Sequence, residues 1–289
     1  MNMKRILILL LSVLLLAALG VAYYQRLERQ RDTAIPLPPL QEQTAPALPA
    51  EPRYPVPAPS APPLDDGATA DAPEPGDAAP PAEPEEPLPE LNESTPVLTE
   101  ALSGLFGADT LNALFYLDEI ARRFVVTVDN LPNRKLPRRN LLLPKPVAGG
   151  FQIAGEGEAL TIAPDNAARY TPFVQLATSV DTQQLVAVYV RFYPLFQEAY
   201  AELGIPGAYF NDRLVEVIDH LLATPDVDGP LRVVRPHVFY QYADPELEAL
   251  SAGQKTLLRM GKANAAQIKD KLRALRGALT NEPPPAGES

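Results

Sequence analysis

Nineteen prolines fall between Asp32 and Glu100, and that clustering limits what the chain can fold into more than any motif does. Each proline fixes φ and removes a backbone donor. The same stretch carries 14 acidic residues and one basic residue, Arg53, so like charges repel along it. A segment of this kind cannot bury enough apolar surface to offset its ordering entropy. One globular domain across all 289 residues is therefore excluded. The net charge of −11 resolves into +4 for 1–31, −13 for 32–100 and −2 for 101–289, so nearly all the acidity lies in the proline-rich stretch. The absence of cysteine excludes disulfides, thiolate metal ligands, a cysteine nucleophile and a lipid-modified N-terminal cysteine.

Ahead of that stretch, Ile6 to Tyr24 is a run of 19 residues without a charge, built mainly from Leu, Ile, Val and Ala. As a helix it would span roughly 28 Å, close to the hydrocarbon thickness of a bilayer. Lys4 and Arg5 precede it, and Tyr23 and Tyr24 stand where interfacial aromatics belong. Gly20-Val21-Ala22 would suit a signal peptidase, but the apolar run exceeds the core of a cleaved signal. The expectation is one uncleaved transmembrane helix within residues 1–31. The flanking positive charges tie, so the acidic stretch argues for a cytoplasmic N-terminus and an exported, periplasmic C-terminus at a bacterial inner membrane.

Residues 32–93 then read as a disordered, extended and acidic tether. The P-x-x-P spacings at 36–39 and 84–87 offer ligands for a proline-binding module, although proline-rich chains produce such spacings by chance. The expected domain runs over 94–280, followed by a disordered tail at 281–289. Ser94-Thr-Pro96 reads as a helix start, and Asp109 as the cap of a helix to about Arg123. Phe124–Val128 reads as a buried strand, and 151–153 with 159–162 as two short strands across Gly155-Glu-Gly157. Asp181 caps a helix whose apolar stripe runs from Leu185 to Leu203, with a kink or break at Pro194. Another helix covers 211–223, strands cover 231–234 and 237–242, and Asp244-Pro245 opens a helical region to Leu279 broken near Gly261. The fold class is α+β, one domain with several helices and a small sheet.

Five segments carry a family resemblance: F-V-V-T-V-D-N-L-P at 124–132, R-Y at 169–170, Y-P-L-F-Q-E-A-Y-A-E-L-G at 193–204, Y-F-N-D-R-L at 209–214 and A-G-Q-K-T-L-L-R-M-G at 252–261. In that order they resemble a bacterial envelope family catalogued as a domain of unknown function, number 3014. The resemblance covers roughly 95–279 and implies a membrane anchor, a variable spacer and an envelope location. It implies no activity and no catalytic residue.

Candidate chemistry comes from the residues alone. Arg122, Arg123, Arg134, Lys135, Arg138, Arg139 and Lys145 place seven cations in 24 residues against Asp129 alone, among Pro132, Pro137, Pro144 and Pro146. Such a loop suits capture of an anionic polymer, a lipid head group or the acidic tether itself; the competing reading is a solvated loop neutralised by nearby acids. Tyr209, Phe210, Asp212 and Arg213 follow Ile205-Pro-Gly207 and form an aromatic and polar patch suited to sugar or peptide. Asp212, Glu216 and His220 share one face at i, i+4, i+8, with Asp219 alongside, a weak metal-site pattern against the plainer polar face of an amphipathic helix. Ile268, Leu272, Leu275 and Leu279 suit a partner helix or a docked terminal helix. Ser251 is no nucleophile elbow, since both histidines precede it and its surroundings read as helix. Gly253-Gln-Lys255-Thr256 lacks the upstream glycine of a phosphate loop.

These observations point to a bilayer-anchored envelope protein that binds or scaffolds an unidentified protein or anionic polymer. It needs no cofactor, has no catalytic residue, and has no nucleic-acid partner given its exported location. The other class is an enzyme of envelope polymers using Asp212, Glu216 and His220.

Overall fold

The computed structural model describes residues 51–58, 87–137, 142–205 and 207–280. The chain separates into Met1–Leu48 and Pro49–Ser289, and every described residue belongs to the second unit. The apolar run 6–24, the tail 281–289 and both flagged P-x-x-P spacings lie wholly or partly outside the described residues. Among the described residues no helix is long and apolar enough to cross a membrane.

A 3₁₀ turn at Leu91–Glu93 leads into α1 (Thr95–Phe106) and α2 (Ala108–Leu114). Then come α3 (Ile120–Asn130), α4 (Thr171–Ser179), α5 (Thr182–Ala201) and α6 (Phe210–Leu222). The chain closes with α7 (Pro245–Ala249), α8 (Ala252–Arg259) and α9 (Lys262–Thr280). Two antiparallel ribbons complete the fold. In one, β1 (Ile153–Ala154) pairs with β2 (Thr161–Ile162), with Ile153 opposite Ile162. In the other, β3 (Val233–Val234) pairs with β4 (Gln241–Tyr242), with Val233 opposite Tyr242. The α+β expectation holds in this helix-dominated form.

The main core lies among α1, α3, α5, α6 and α9, with Phe192, Val125, Phe210 and Val215 fully buried. The stripe on α5 places Tyr189, Phe192, Leu195, Phe196, Ala199 and Tyr200 inside. Asp181 caps that helix, accepting from the amides of Gln183 and Gln184. The break expected at Pro194 does not occur: α5 runs unbroken past it. Proline costs about 3 kcal/mol inside a helix. The flanking Phe192, Leu195 and Phe196 each contribute on the order of 2 kcal/mol by burial, and Pro194 itself lies on the exposed face.

The strand expected at 124–128 is likewise corrected, because it belongs to α3. Ile120, Ala121, Val125 and Val128 bury one helical face against α5 and α6. The helix penalty of a β-branched residue is a few tenths of a kcal/mol, less than the burial of Val125 alone supplies. The helix expected from Asp109 to Arg123 is two helices, since Phe115 is extended and bridges to Pro144. Asp109 lies in the first turn of α2 behind Gly107, and Ser94 donates to the Leu91 carbonyl (2.7 Å) without capping α1. The terminal helix α9 docks on α4, α5 and α6 and buries Leu279.

The sequence reading of 32–93 as a solvated tether is corrected in two places. Leu88 and Leu91 pack on the main core, and so does Tyr54 from the segment Glu51–Ala58. That segment alternates: Pro52, Tyr54 and Val56 are half-buried, while Glu51, Arg53 and Pro55 are exposed. A period of two is the signature of extended backbone with one face on a surface.

Candidate functional site

The start of α6 is fixed from below by Gln197. Its Oε1 accepts from the Phe210 amide and from the Tyr193 hydroxyl (2.8 Å each), and its Nε2 donates to the Ala208 carbonyl (2.8 Å). Phe210 is driven inward, where its ring meets Phe124, Tyr200 and Phe196 with centroids 5.6, 5.5 and 6.3 Å away. Phe210 is 0% exposed, so its expected place in a surface patch is corrected: it is the pin that sets the helix on the core. Tyr209, one residue earlier, is half-buried.

Asn211 is also 0% exposed, yet both ends of its amide are used. Oδ1 accepts from the Tyr189 hydroxyl (3.0 Å), and Nδ2 donates to the carbonyl of Tyr54 (2.8 Å). Burial, together with Tyr193 and Asp212 nearby, pushes the Tyr189 phenol far above its usual range, so it stays a neutral donor. Asp212 lies in the first turn of α6, where the helix dipole favours an anion. Its two oxygens accept consecutive main-chain amides, Arg53 at 2.9 Å and Tyr54 at 2.7 Å. Three main-chain groups of Arg53 and Tyr54 are thus held by two adjacent side chains. Prolines at 52, 55 and 57 have no amide, so the segment offers only Arg53, Tyr54 and Val56 as donors over that span. The Arg53 guanidinium lies 5.1 Å from the centre of the Tyr54 ring.

The other candidates on α6 turn to separate partners. Arg213 donates to the carboxylate of Asp129 (2.9 Å) and to its carbonyl (3.0 Å), tying α6 to α3, and lies 3.6 Å from Glu216. Asp219 receives Arg276 from α9 at 2.5 Å. His220 Nε2 lies 2.9 Å from the Ser251 hydroxyl. Burial and the Arg213 charge hold its imidazole below the usual 6.5. Among the described residues no group of three His, Asp or Glu side chains could hold a metal ion, and Asp212, Glu216 and His220 do not converge. Ser251, 5% exposed, caps α8: its hydroxyl accepts from the Gln254 amide while Gln254 Oε1 accepts from the Ser251 amide. The structure joins a serine and a histidine that chain order had set apart, but that hydroxyl is engaged in the helix start. Lys255 is buried and bonds Glu248 and the Glu248 carbonyl.

Within the basic stretch most described cations are internal fastenings. Arg122 forks onto Glu202 (2.6 and 2.8 Å) and donates to Asn92, and it holds the Glu202 carboxyl below its usual range. Arg123, 9% exposed, bonds the carboxylate and carbonyl of Asp118 and faces the Tyr116 ring. Lys145 donates to the Asn112 carbonyl. Arg134 and Lys135 are exposed and make no hydrogen bond or ion pair among the described residues. Arg138 and Arg139 lie outside them.

The sequence reading missed the docked segment, although a signal was present. Arg53 and Tyr54 are the one basic and the one aromatic residue of 32–100, adjacent and inside another P-x-x-P at 52–55. A cleft of about 500 Å³ lies elsewhere, between β2, the 224–231 loop and the α8–α9 corner, and is lined by Pro164, Asp226, Arg259 and Lys269 among others. Lys269, 5% exposed, reaches the Thr224 carbonyl and Asp226 there, both at 2.7 Å.

A family model described as "Protein of unknown function (DUF3014)" matches residues 120–276, more than half of the chain. That span begins with α3 and ends in α9, and it contains Asn211 and Asp212. No curated protein and no solved structure matches.

Proposed function

We propose, for a chain that belongs to the DUF3014 family of unknown function, a membrane-anchored envelope protein whose folded domain binds extended polypeptide at the start of α6. The observation that carries this reading is the docking of Glu51–Ala58 by main-chain groups. A carboxylate that accepts two consecutive amides, beside a buried amide that donates to the next carbonyl, matches the needs of an extended chain. Hydrogen bonds to a charged acceptor contribute about 1.5–3 kcal/mol each, the part-buried Tyr54 amide more than the exposed Arg53 amide. The Tyr54 ring adds apolar contact with the core. Binding here asks for no reaction, and the proposed role is to hold or scaffold a partner.

The anchor rests on the 19-residue apolar run at 6–24 and its flanking basic and aromatic residues. A cytoplasmic N-terminus with the domain in the periplasm follows from the acidic stretch beyond it. Against the enzyme reading, Asp212 is occupied by amides, while Glu216 and His220 each face other partners.

The test is hydrogen exchange on the full chain. The Arg53 and Tyr54 amides should be protected in the parent protein and exchange freely in Asp212→Ala. Equal, unprotected exchange in both would remove the basis of the proposal. Alkaline extraction of membranes tests the anchor, which should keep the protein in the pellet unless residues 1–31 are deleted.

A further inference from the structure

Every copy of this chain carries one docking site, the Asn211–Asp212 pair at the start of α6, and one segment that fits it, and the two are joined by a long stretch. Between Ala58 and Pro87 lie 28 residues, eight acidic and none basic. Fully extended they would cover at most about 95 Å. We propose that neighbouring copies exchange their segments: Pro52–Pro57 of one copy docks at Asn211 and Asp212 of another, and anchored copies are linked through their tethers. This rests on the peptide-binding reading above and names its partner as a second copy of the chain.

Three observations carry it. The docked contact is made of main-chain hydrogen bonds to Asp212 and Asn211 plus the buried face of Pro52, Tyr54 and Val56, and all of it is reproduced when the segment comes from a neighbour. Exchange therefore loses no bond, which is why swapping of an identical element is a low-cost route to association. The connection is long enough to reach another domain. Closing it within one copy costs loop entropy that grows with length, and eight like charges in the loop add repulsion. A segment arriving from a neighbour forms no such loop, and two copies that exchange reciprocally make the second contact at high effective concentration.

Two full-length variants test the exchange by complementation. Arg53→Pro with Tyr54→Pro removes both amides that Asp212 accepts, together with the Tyr54 ring, and leaves the docking site itself intact. Asp212→Ala removes the acceptor and leaves the segment intact. Asp212→Ala is outside the core, and Tyr54→Ala, which keeps the amides and loses only the ring that packs against the core, is a milder second segment variant. Each is made with two different affinity tags, co-expressed in pairs, and recovered through one tag after mild solubilisation. The parent pair should co-purify, and so should the mixed pair, which keeps one good docking site and one good segment. Either variant paired with itself should be recovered at least about tenfold less, with Tyr54→Ala intermediate. Recovery of the mixed pair no better than the self-pairs would overturn the exchange.

A labelled peptide Glu-Pro-Arg-Tyr-Pro-Val-Pro-Ala, titrated onto the protein carrying both proline substitutions, separates the two levels. If the peptide binds while the mixed pair fails, exchange is wrong and peptide recognition stands. If it does not bind, both fall.

Discussion

The basic stretch at 122–145 and the start of α6 at 209–213 look alike in sequence as candidate sites, and the structure treats them oppositely. The first is the denser cluster of charge, yet Arg122, Arg123 and Lys145 are committed to Glu202, Asp118 and the Asn112 carbonyl. The second has fewer charges, but two adjacent side chains, Asn211 and Asp212, reach a segment 157–159 residues away. The difference teaches that charge density marks a site only when the charges have no structural partner. An amphipathic side chain such as Arg carries both a stem and a fork, and both are readily absorbed in fastening loops to a core.

The strongest way to break this comparison is Phe210→Ala. If Phe210 is a core pin, urea unfolding should show a loss of about 3–5 kcal/mol; a loss below about 1 kcal/mol would return it to the surface patch. Within the basic stretch, Arg123→Ala should cost about 2 kcal/mol through its bonds to Asp118 and its contact with Tyr116, whereas Arg134→Ala should stay within about 0.5 kcal/mol. Equal effects would mean the stretch is not divided between fastening and exposed cations. Asp212→Ala should lower global stability by about 1.5 kcal/mol while exchange at the Arg53 and Tyr54 amides rises about tenfold or more, with no other locally exchanging amide affected, because only the segment opens.

The smallest effect concerns pH. His220 has a folded value below its usual 6.5, so the unfolded chain binds more protons in that window. Its contribution is fully present above about pH 6.5 and is lost as pH falls toward the lowered folded value. A shallow decline of stability below about pH 6.5, absent in His220→Gln, should therefore precede the larger acid loss. That later loss comes from Asp118, Glu202 and Asp226, whose values are lowered by Arg123, Arg122 and Lys269.

Elements whose signal is local were legible. The Asp181 cap, the ribbon around Gly155-Glu-Gly157 and the break at Gly261 depend on neighbours within a few residues, and each is found where the sequence puts it. Elements decided by packing were not. Val125 and Val128 favour strand locally, but α5 and α6 offer a helical face to bury them. At 237–242 the expected strand shortens to Gln241–Tyr242, and Val238 and Phe239 stand exposed at 70% and 76%. Of the site, the sequence picked out the stretch 209–213 and its mixed chemistry but put both aromatics on the surface, where Tyr209 is half-buried and Phe210 fully buried. Periodicity favours Phe210 as the inward group, at i, i+4, i+7 and i+8 with Leu214, Val217 and Ile218, while Tyr209 leads to the polar positions Arg213, Glu216 and His220; a helix read as starting at 211 left Phe210 in the loop.

By itself the sequence determined that no single core spans the chain, that 32–100 is proline-rich and acidic, that cysteine chemistry is absent, and that a helix-rich α+β domain follows. Those are consequences of composition and short-range periodicity, which need no knowledge of distant contacts. Only the tertiary structure decided which cations are fastenings and that Arg53 and Tyr54 lie against Asp212. The contact joins residues 158 and 159 apart in the chain. Its energy comes from main-chain amides and a half-buried ring, and those are groups that every residue but proline, or every aromatic, carries. A fold had to bring them to one carboxylate before they could mean anything.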